Sequence, residues 1–253
     1  MGDTRLTIGQ VQFTMRQTQL DALSHYRGTS SVYFQEDIRA LFLPNPNTCN
    51  MHQTLPCEQI ADHPDFRRLA GIDGIQVELR YGTPNNFVGR DLYSPLDCAW
   101  LHRHAAEALE GSIAWLKQQA PTFKMLVLDA LRPQRVQEQL WASLQGTVLL
   151  EYLANPVRGS IHSFGMAVDI TLVDSDGNEI DMGTPFDDLS EMSHPALEEK
   201  FLLTGELTQA QIDNRKLLRA AMQAGGWRGI NSEWWHFDCG DRNVVRSNYA
   251  RIL

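Results

Sequence analysis

Cysteine is scarce in this chain of 253 residues: there are four, Cys49, Cys57, Cys98 and Cys239, and no pair has C-x-x-C spacing. That excludes a disulfide-stapled scaffold or a thiolate zinc ribbon as the organising feature, and leaves a Cys49–Cys57 bridge conceivable only in an oxidising compartment. Also missing is any run of about 18 apolar residues, so no segment reads as a membrane span. Residues 1–20 carry scattered polar groups and no apolar secretory core, which makes the cytoplasm the expected compartment. Basic residues are outnumbered, with Lys and Arg totalling 22 against 31 Asp and Glu, for a formal net charge of −9. Nucleic acid or an anionic membrane would call for a basic stripe, so neither is expected as a main partner and a small soluble substrate fits better. Internal repeats, low-complexity tracts and a Gly-rich phosphate loop are absent, and without a G-x-S-x-G elbow serine hydrolysis has little support.

What is present suffices for one domain with an attached segment, since 43% of the residues are hydrophobic. Residues 1–74 give mixed signals. A short helix could run from Met15 to Tyr26, but Pro44-Asn45-Pro46-Asn47 and dispersed apolar residues point to an irregular arm packed on the domain. From Ile75 the pattern sharpens. Ile75, Val77 and Leu79 alternate with polar residues as in a strand, and an apolar stripe within an Ala-rich stretch predicts a helix from about Leu96 to Gln119, with His102 and His104 at its surface or boundary. Met125–Leu128 reads as a buried strand, and Pro133 opens a helix from Gln134 to Gln145. Asp174-Ser175-Asp176-Gly177-Asn178 marks a hairpin turn returning to Met182. Thr208 and Gln211 form a capping box for a helix that Gly225 stops, and Trp234 to Asp238 alternates as a last strand. The sum is an α+β fold in which helices pack on a mainly antiparallel sheet.

The chemistry concentrates in Asn231-Ser232-Glu233-Trp234-Trp235-His236-Phe237-Asp238, where Glu233 and His236 stand among bulky apolar groups and so require solvent or a chemical partner. A partner lies upstream. In Ser160 to Leu172, Met166, Val168, Ile170 and Leu172 define one apolar strand face, from which Asp169 projects oppositely, and His162 precedes the strand by a Gly165 bend. Two imidazoles and one carboxylate, His162, Asp169 and His236, suit zinc with a fourth position open for water. Taken singly, such a histidine is more often a hydrogen-bonded loop residue and such an aspartate a turn or edge feature. Glu233, three residues before His236, could take a proton from zinc-activated water and pass it to a leaving amine. Arg132 sits at a strand-to-helix junction, where it either supplies positive charge to an oxyanion or simply pairs with Asp129 or Glu138.

Four ordered motifs carry a resemblance: Asp129-Ala130-Leu131-Arg132-Pro133-Gln134, Ser160-Ile161-His162-Ser163-Phe164-Gly165-Met166-Ala167-Val168-Asp169, Met182-Gly183-Thr184-Pro185-Phe186-Asp187 and Glu233-Trp234-Trp235-His236. From about Ile75 onward the chain resembles the D-alanyl-D-alanine dipeptidases of the type linked to vancomycin resistance, within the LAS zinc metallopeptidase superfamily. The resemblance implies an LAS/hedgehog-like zinc peptidase fold and a catalytic domain over 75–253. It also implies one zinc ion on His162, Asp169 and His236, with Glu233 as acid/base and Arg132 as transition-state stabiliser. Ser160, Asp187 and Tyr81 match positions near the substrate, and Asp187 would suit the ammonium of a small dipeptide. Leu131 departs from the pattern, standing where the family usually has tyrosine. Other LAS members imply two rivals: a D,D- or L,D-carboxypeptidase acting on peptidoglycan, and a zinc-holding binding module without turnover, which would need neither Glu233 nor Arg132.

Overall fold

The computed structural model describes residues 4–8, 11–15 and 53–253. The chain divides into two units, Met1–Cys49 and Asn50–Leu253. In the first, strands β1 (Thr4–Ile8) and β2 (Val11–Met15) pair antiparallel. Regular pairing thus replaces the expected irregular arm there, because Leu6, Ile8, Val11, Phe13 and Met15 alternate with polar neighbours. Met15 ends β2, and the rest of the helix expected from Met15 to Tyr26 falls outside the described residues, as does Cys49. Among the described residues Cys57, Cys98 and Cys239 are free thiols.

The second unit runs through β3 (Thr54–Leu55), β4 (Phe66–Arg68), β5 (Ile75–Val77), β6 (Trp100–His102), α1 (Arg103–Gln119), β7 (Lys124–Asp129) and α2 (Gln134–Ser143). It continues with β8 (Ala167–Val173), α3 (Glu198–Thr204), α4 (Gln209–Ala224), β9 (Trp227–Gly229), β10 (His236–Cys239), α5 (Arg242–Asn248) and β11 (Arg251–Ile252). Its centre is a five-stranded sheet ordered β5-β7-β8-β10-β9, parallel only between β5 and β7. The expected mainly antiparallel sheet with packed helices is therefore present. No helix among the described residues is long and apolar enough to cross a membrane.

One face of the sheet carries Met125, Val127, Val168, Ile170, Leu172 and Phe237, and meets Leu109 and Leu116 of α1 and Leu218 and Met222 of α4 in the main core. Helix α4 opens on the capping box read from sequence, Thr208 accepting from the Gln211 amide and the Gln211 side chain returning to the Thr208 amide. Helix α1 begins later than expected because Trp100–His102 is pulled into pairing with β4. His102, expected at the surface or boundary of the helix, is instead buried just before it: it is 7% exposed, and its ring accepts from the His104 amide as the cap of α1. Strand β8 corrects another, since all seven of its residues are buried and not only those on its apolar face. A second apolar cluster is built from residues distant in sequence. Ile60, Phe66, Tyr81, Tyr93, Leu131, Val136 and Leu140 form a separate apolar cluster, so residues 53–74, grouped by sequence with the arm, help build this unit's interior.

Candidate active site

Strand register brings the charged groups into one row. Asp129 on β7 lies opposite Asp169 on β8, and Asp169 lies opposite His236 on β10. Simple alternation from Met125 and Val127 would turn Asp129 toward the helices. An irregularity in pairing between Val127 and Asp129 instead brings it to the side of Asp169, as a bulge does when it re-aims a side chain.

His162 arrives from a single 3-10 turn, Ile161–Phe164, immediately before β8. Gly165 ends that turn at φ 63°, and a Cβ there would come within 2.8 Å of the His102 backbone nitrogen, so the bend demands glycine. The imidazole Nδ1 of His162 lies 2.8 Å from the Ala130 carbonyl, to which it donates. Its Nε2 then faces His236 Nδ1 at 3.2 Å and Asp169 Oδ1 at 3.4 Å. His236 is held in the same manner, with Nε2 3.0 Å from Asp238 Oδ1 and Nδ1 3.0 Å from Asp169 Oδ1. Each ring thus has its outer nitrogen anchored on an oxygen and its inner nitrogen turned to a shared point.

The residues fit a divalent metal. Three ligand atoms 3.0–3.4 Å apart match the edges, about 3.3 Å, of a tetrahedron whose bonds are about 2.0–2.1 Å. Two imidazole nitrogens and one carboxylate oxygen, without thiolate, are a donor set that zinc accepts while leaving a position free. Among the described residues, His162, Asp169 and His236 are the group that could hold such an ion. Burial alone would raise the Asp169 carboxyl, but the imidazoles of His162 and His236 hold it well below its usual range. Burial likewise opposes charge on His236, yet the carboxylates of Asp238 and Asp169 push it up to about 10. A cation must therefore compete with a proton for that nitrogen.

Around this triad stand the other groups. Glu233 precedes β10, its Oε2 3.9 Å from His236 Nδ1 and its side chain 14% exposed. Burial pushes its carboxyl up to about 7, against the pull of His236. Arg132 is buried beside the triad; its Nε and Nη2 lie 2.9 and 2.6 Å from Asp129 Oδ2, Nη2 reaches Asp169 Oδ2 at 3.2 Å, and Nη1 donates to Gln137 at 3.2 Å. Pairing with Asp129 is thus real, but it occurs inside the protein and extends to Asp169, while the pair with Glu138 is replaced by Gln137. The guanidinium also lies over the Tyr81 ring, 4.8 Å from its centre. Tyr81 donates its hydroxyl to Asp187 Oδ1 at 3.0 Å, while Asp187 Oδ2 is buried with no partner. Burial and the Asp169 charge raise the Asp187 carboxyl well above its usual range, and its backbone takes φ 63°, unusual for a side-chain-bearing residue.

All eight residues singled out from sequence, Tyr81, Arg132, Ser160, His162, Asp169, Asp187, Glu233 and His236, line one cleft of about 250 Å³. Leu131 does not; it is buried in the second apolar cluster, so the departure from tyrosine faces the interior. Two participants escaped the sequence reading, Asp238 behind His236 and Tyr93, whose hydroxyl donates to Asp129, while Asp129 was expected to pair with Arg132 but at the surface. Alternation along Trp234, His236 and Asp238 was the available signal for the first.

A sheet-borne triad able to hold one divalent ion, flanked by a carboxyl near neutrality and a buried guanidinium, defines a centre of the metal-dependent hydrolase class. Comparison with known proteins makes this specific: residues 65–252 match peptidase family M15, described as D-ala-D-ala dipeptidase, and the chain belongs to that family of metallopeptidases. The D-alanyl-D-alanine dipeptidase of Escherichia coli K12 is 37% identical over 164 residues, covering 65% of this chain and 78% of that protein. The protein of the same name from Enterococcus faecium is 27% identical over 200 residues, 70% of this chain and 92% of its own. A third, from Synechocystis, is 31% identical over 152 residues, 48% of this chain and 62% of its own.

Proposed function

We propose that the chain is a zinc dipeptidase that hydrolyses D-Ala-D-Ala, or a closely related D,D-dipeptide, to free amino acids. The observation that carries this reading is the convergence of His162 Nε2, Asp169 Oδ1 and His236 Nδ1 within 3.0–3.4 Å of one another, with Glu233 Oε2 3.9 Å from His236. The names of the family relatives support the substrate.

In this reading His162, Asp169 and His236 hold one zinc ion per chain. Bound there, zinc supplies a Lewis acid that polarises a carbonyl and lowers the pKa of water toward about 7. Glu233 takes a proton from the attacking water on its carboxylate and returns it to the departing amine, a task suited to a carboxyl already poised near neutrality. Arg132, fixed by Asp129, Asp169 and Gln137, brings a positive charge that needs no reorganisation to the developing oxyanion. Asp187 receives the substrate ammonium, whose charge opposes the burial that raises this carboxyl, Tyr81 holds it by a hydrogen bond to Oδ1, and Ser160 contributes to the cleft wall. The fold is assigned to the LAS/hedgehog-like zinc peptidases. The catalytic domain is read over 75–253 and residues 1–74 as an arm, of which the described residues 53–74 belong to the same compact unit as the domain. The cytoplasm is the assigned compartment.

Metal analysis of the purified protein, followed by turnover of D,D-, L,D- and L,L-dipeptides and of N-acylated D-Ala-D-Ala, tests the reading. One zinc per chain and cleavage of the free D,D-dipeptide but not the N-acylated one are expected. Preference for the N-acylated substrate would make the chain a carboxypeptidase.

A further inference from the structure

A dipeptide is a zwitterion, and its ammonium and carboxylate both lose water on entering a cleft, so each requires an opposite charge there. Asp187 accounts for the ammonium. Three guanidiniums line the cleft, those of Arg132, Arg242 and Arg246, and their donors are unequally committed. Arg132 is engaged by Asp129, Asp169 and Gln137 through all three nitrogens. Arg246 directs Nε and Nη2 to the Gly159 carbonyl at 3.2 and 3.1 Å, and Nη1 to the Arg242 carbonyl at 3.4 Å. Arg242 is different. Its Nε donates to Asp238 Oδ2 at 2.5 Å, and among the described residues Nη1 and Nη2 have no hydrogen-bond partner. The anchoring carboxylate is itself buried, 6% exposed, while the Arg242 side chain is 46% exposed. One edge of the fork is therefore held by the interior and the other is uncommitted, while Arg242 lines the cleft and its charge acts on Glu233.

We propose that Arg242 is the specificity-determining residue that receives the free carboxylate of the dipeptide through its Nη edge. The planar fork matches a carboxylate in two parallel bonds, and the pin on Asp238 removes much of the rotamer entropy that an exposed arginine would otherwise lose on binding. With Asp187 fixing the ammonium and Arg242 the carboxylate, the cleft measures a peptide between its two charged ends. Chains longer than two residues, or with a capped carboxyl, are then disfavoured by charge placement as well as by space. This inference rests on the dipeptidase reading and adds the residue that reads the carboxyl end.

The test compares D-Ala-D-Ala with D-alanyl-D-alaninamide, which keeps the scissile bond but lacks the carboxylate. Wild-type enzyme should prefer the acid by roughly 10-fold to 100-fold in kcat/KM, the range for one hydrogen-bonded charge. Arg242→Gln should lose that factor on the acid, chiefly through KM, and change little on the amide, with zinc content preserved. Arg242→Lys should recover part of the preference because it restores charge without the fork. Equal losses on both substrates, or loss of zinc, would show that Arg242 serves only to hold Asp238 and would overturn the inference. Wild-type enzyme that cleaves acid and amide equally overturns it while leaving the dipeptidase reading intact. Failure of wild type on both substrates would remove the dipeptidase reading and this inference with it.

Discussion

Replacing Glu233 by Gln removes a carboxyl that lies 3.9 Å from His236 Nδ1 and is neither one of the three converging groups nor an anchor of one. The amide is nearly isosteric, and Glu233 stands outside the ligand triangle: its Oε2 is 3.9 Å from His236 Nδ1, against 3.0–3.4 Å among the three ligand atoms. Zinc content should therefore stay at one per chain. Rate should not, because an amide cannot accept the water proton, and the loss of general-base help is worth on the order of 10² to 10⁴. Converted at about 1.4 kcal/mol per decade, the barrier rises by about 3–6 kcal/mol. The substitution carries little folding penalty, since among the described residues the Glu233 side chain makes no hydrogen bond, and removing a buried charge relieves the desolvation that pushes its carboxyl up to about 7. Equal or slightly greater stability in urea is expected. The assay is kcat on D-Ala-D-Ala at saturating zinc, with metal measured on the same sample. If Glu233 instead only orients His236, the variant would lose roughly 10-fold to 100-fold in metal affinity and recover in excess zinc. Near-wild-type turnover under those conditions would refute the catalytic role.

Arg132→Ala should lower kcat by roughly 10²-fold to 10³-fold, as for loss of one oxyanion donor; a normal kcat with a raised KM, measured by steady-state kinetics, would reassign the residue to substrate binding. The same change leaves Asp129 and Asp169 buried beside each other without their cation, so Arg132→Lys is the cleaner variant, and its partial rescue separates charge from folding. Asp238→Ala should weaken zinc retention by roughly 10-fold to 100-fold in a chelator competition, since His236 loses the acceptor that fixes its Nε2. His102 sets a pH dependence of folding: burial, helped by His104, depresses its imidazole to about 4. A base depressed in the fold binds its proton more readily when unfolded, so stability is intact above about 6.5 and falls as pH drops from there to about 4, by on the order of 3 kcal/mol. His102→Asn keeps a capping acceptor without titrating, and urea unfolding at pH 7.5 and pH 4 should show a smaller loss in the variant than in wild type; parallel losses would exclude His102 as the cause.

How much of this could be read from the sequence follows from the distance over which each feature is determined. Asp169 and His236 were legible because each lies within a stretch whose alternation declares a strand, and because E-x-x-H and H-x6-D place a base or a second ligand at short range. The capping box of α4 was legible for the same reason: Thr208 and Gln211 are three residues apart. The burial of both faces of β8 was not, since Val173 packs with Leu126, Leu128 and Phe186 and Asp169 meets Arg132, partners that are not its neighbours in sequence. Nor could alternation reveal Asp129, because the irregularity after Val127 reverses the side that period-two counting assigns it. His102 was misread because its environment is set by Phe66 and Tyr249, neither of them near it in sequence.

The same contrast explains why the triad and its supports differ in chemistry. Ligand atoms must be specific residue types, so His162, Asp169 and His236 leave a mark in the sequence. Their supports need only offer an oxygen at the right place. For His162 that oxygen is the Ala130 carbonyl, which any residue could provide, and for His236 it is the Asp238 carboxylate, which only Asp or Glu could. The two histidines are therefore held unequally: His236 by the Asp238 carboxylate at 3.0 Å, His162 by the Ala130 carbonyl at 2.8 Å with Asp129 Oδ2 farther off at 3.6 Å, and each of these carboxylates is paired to an arginine lining the cleft, Arg242 and Arg132. On the His236 side the arginine is Arg242, so in the proposed reading a substrate carboxylate held there would be felt at His236 through Asp238.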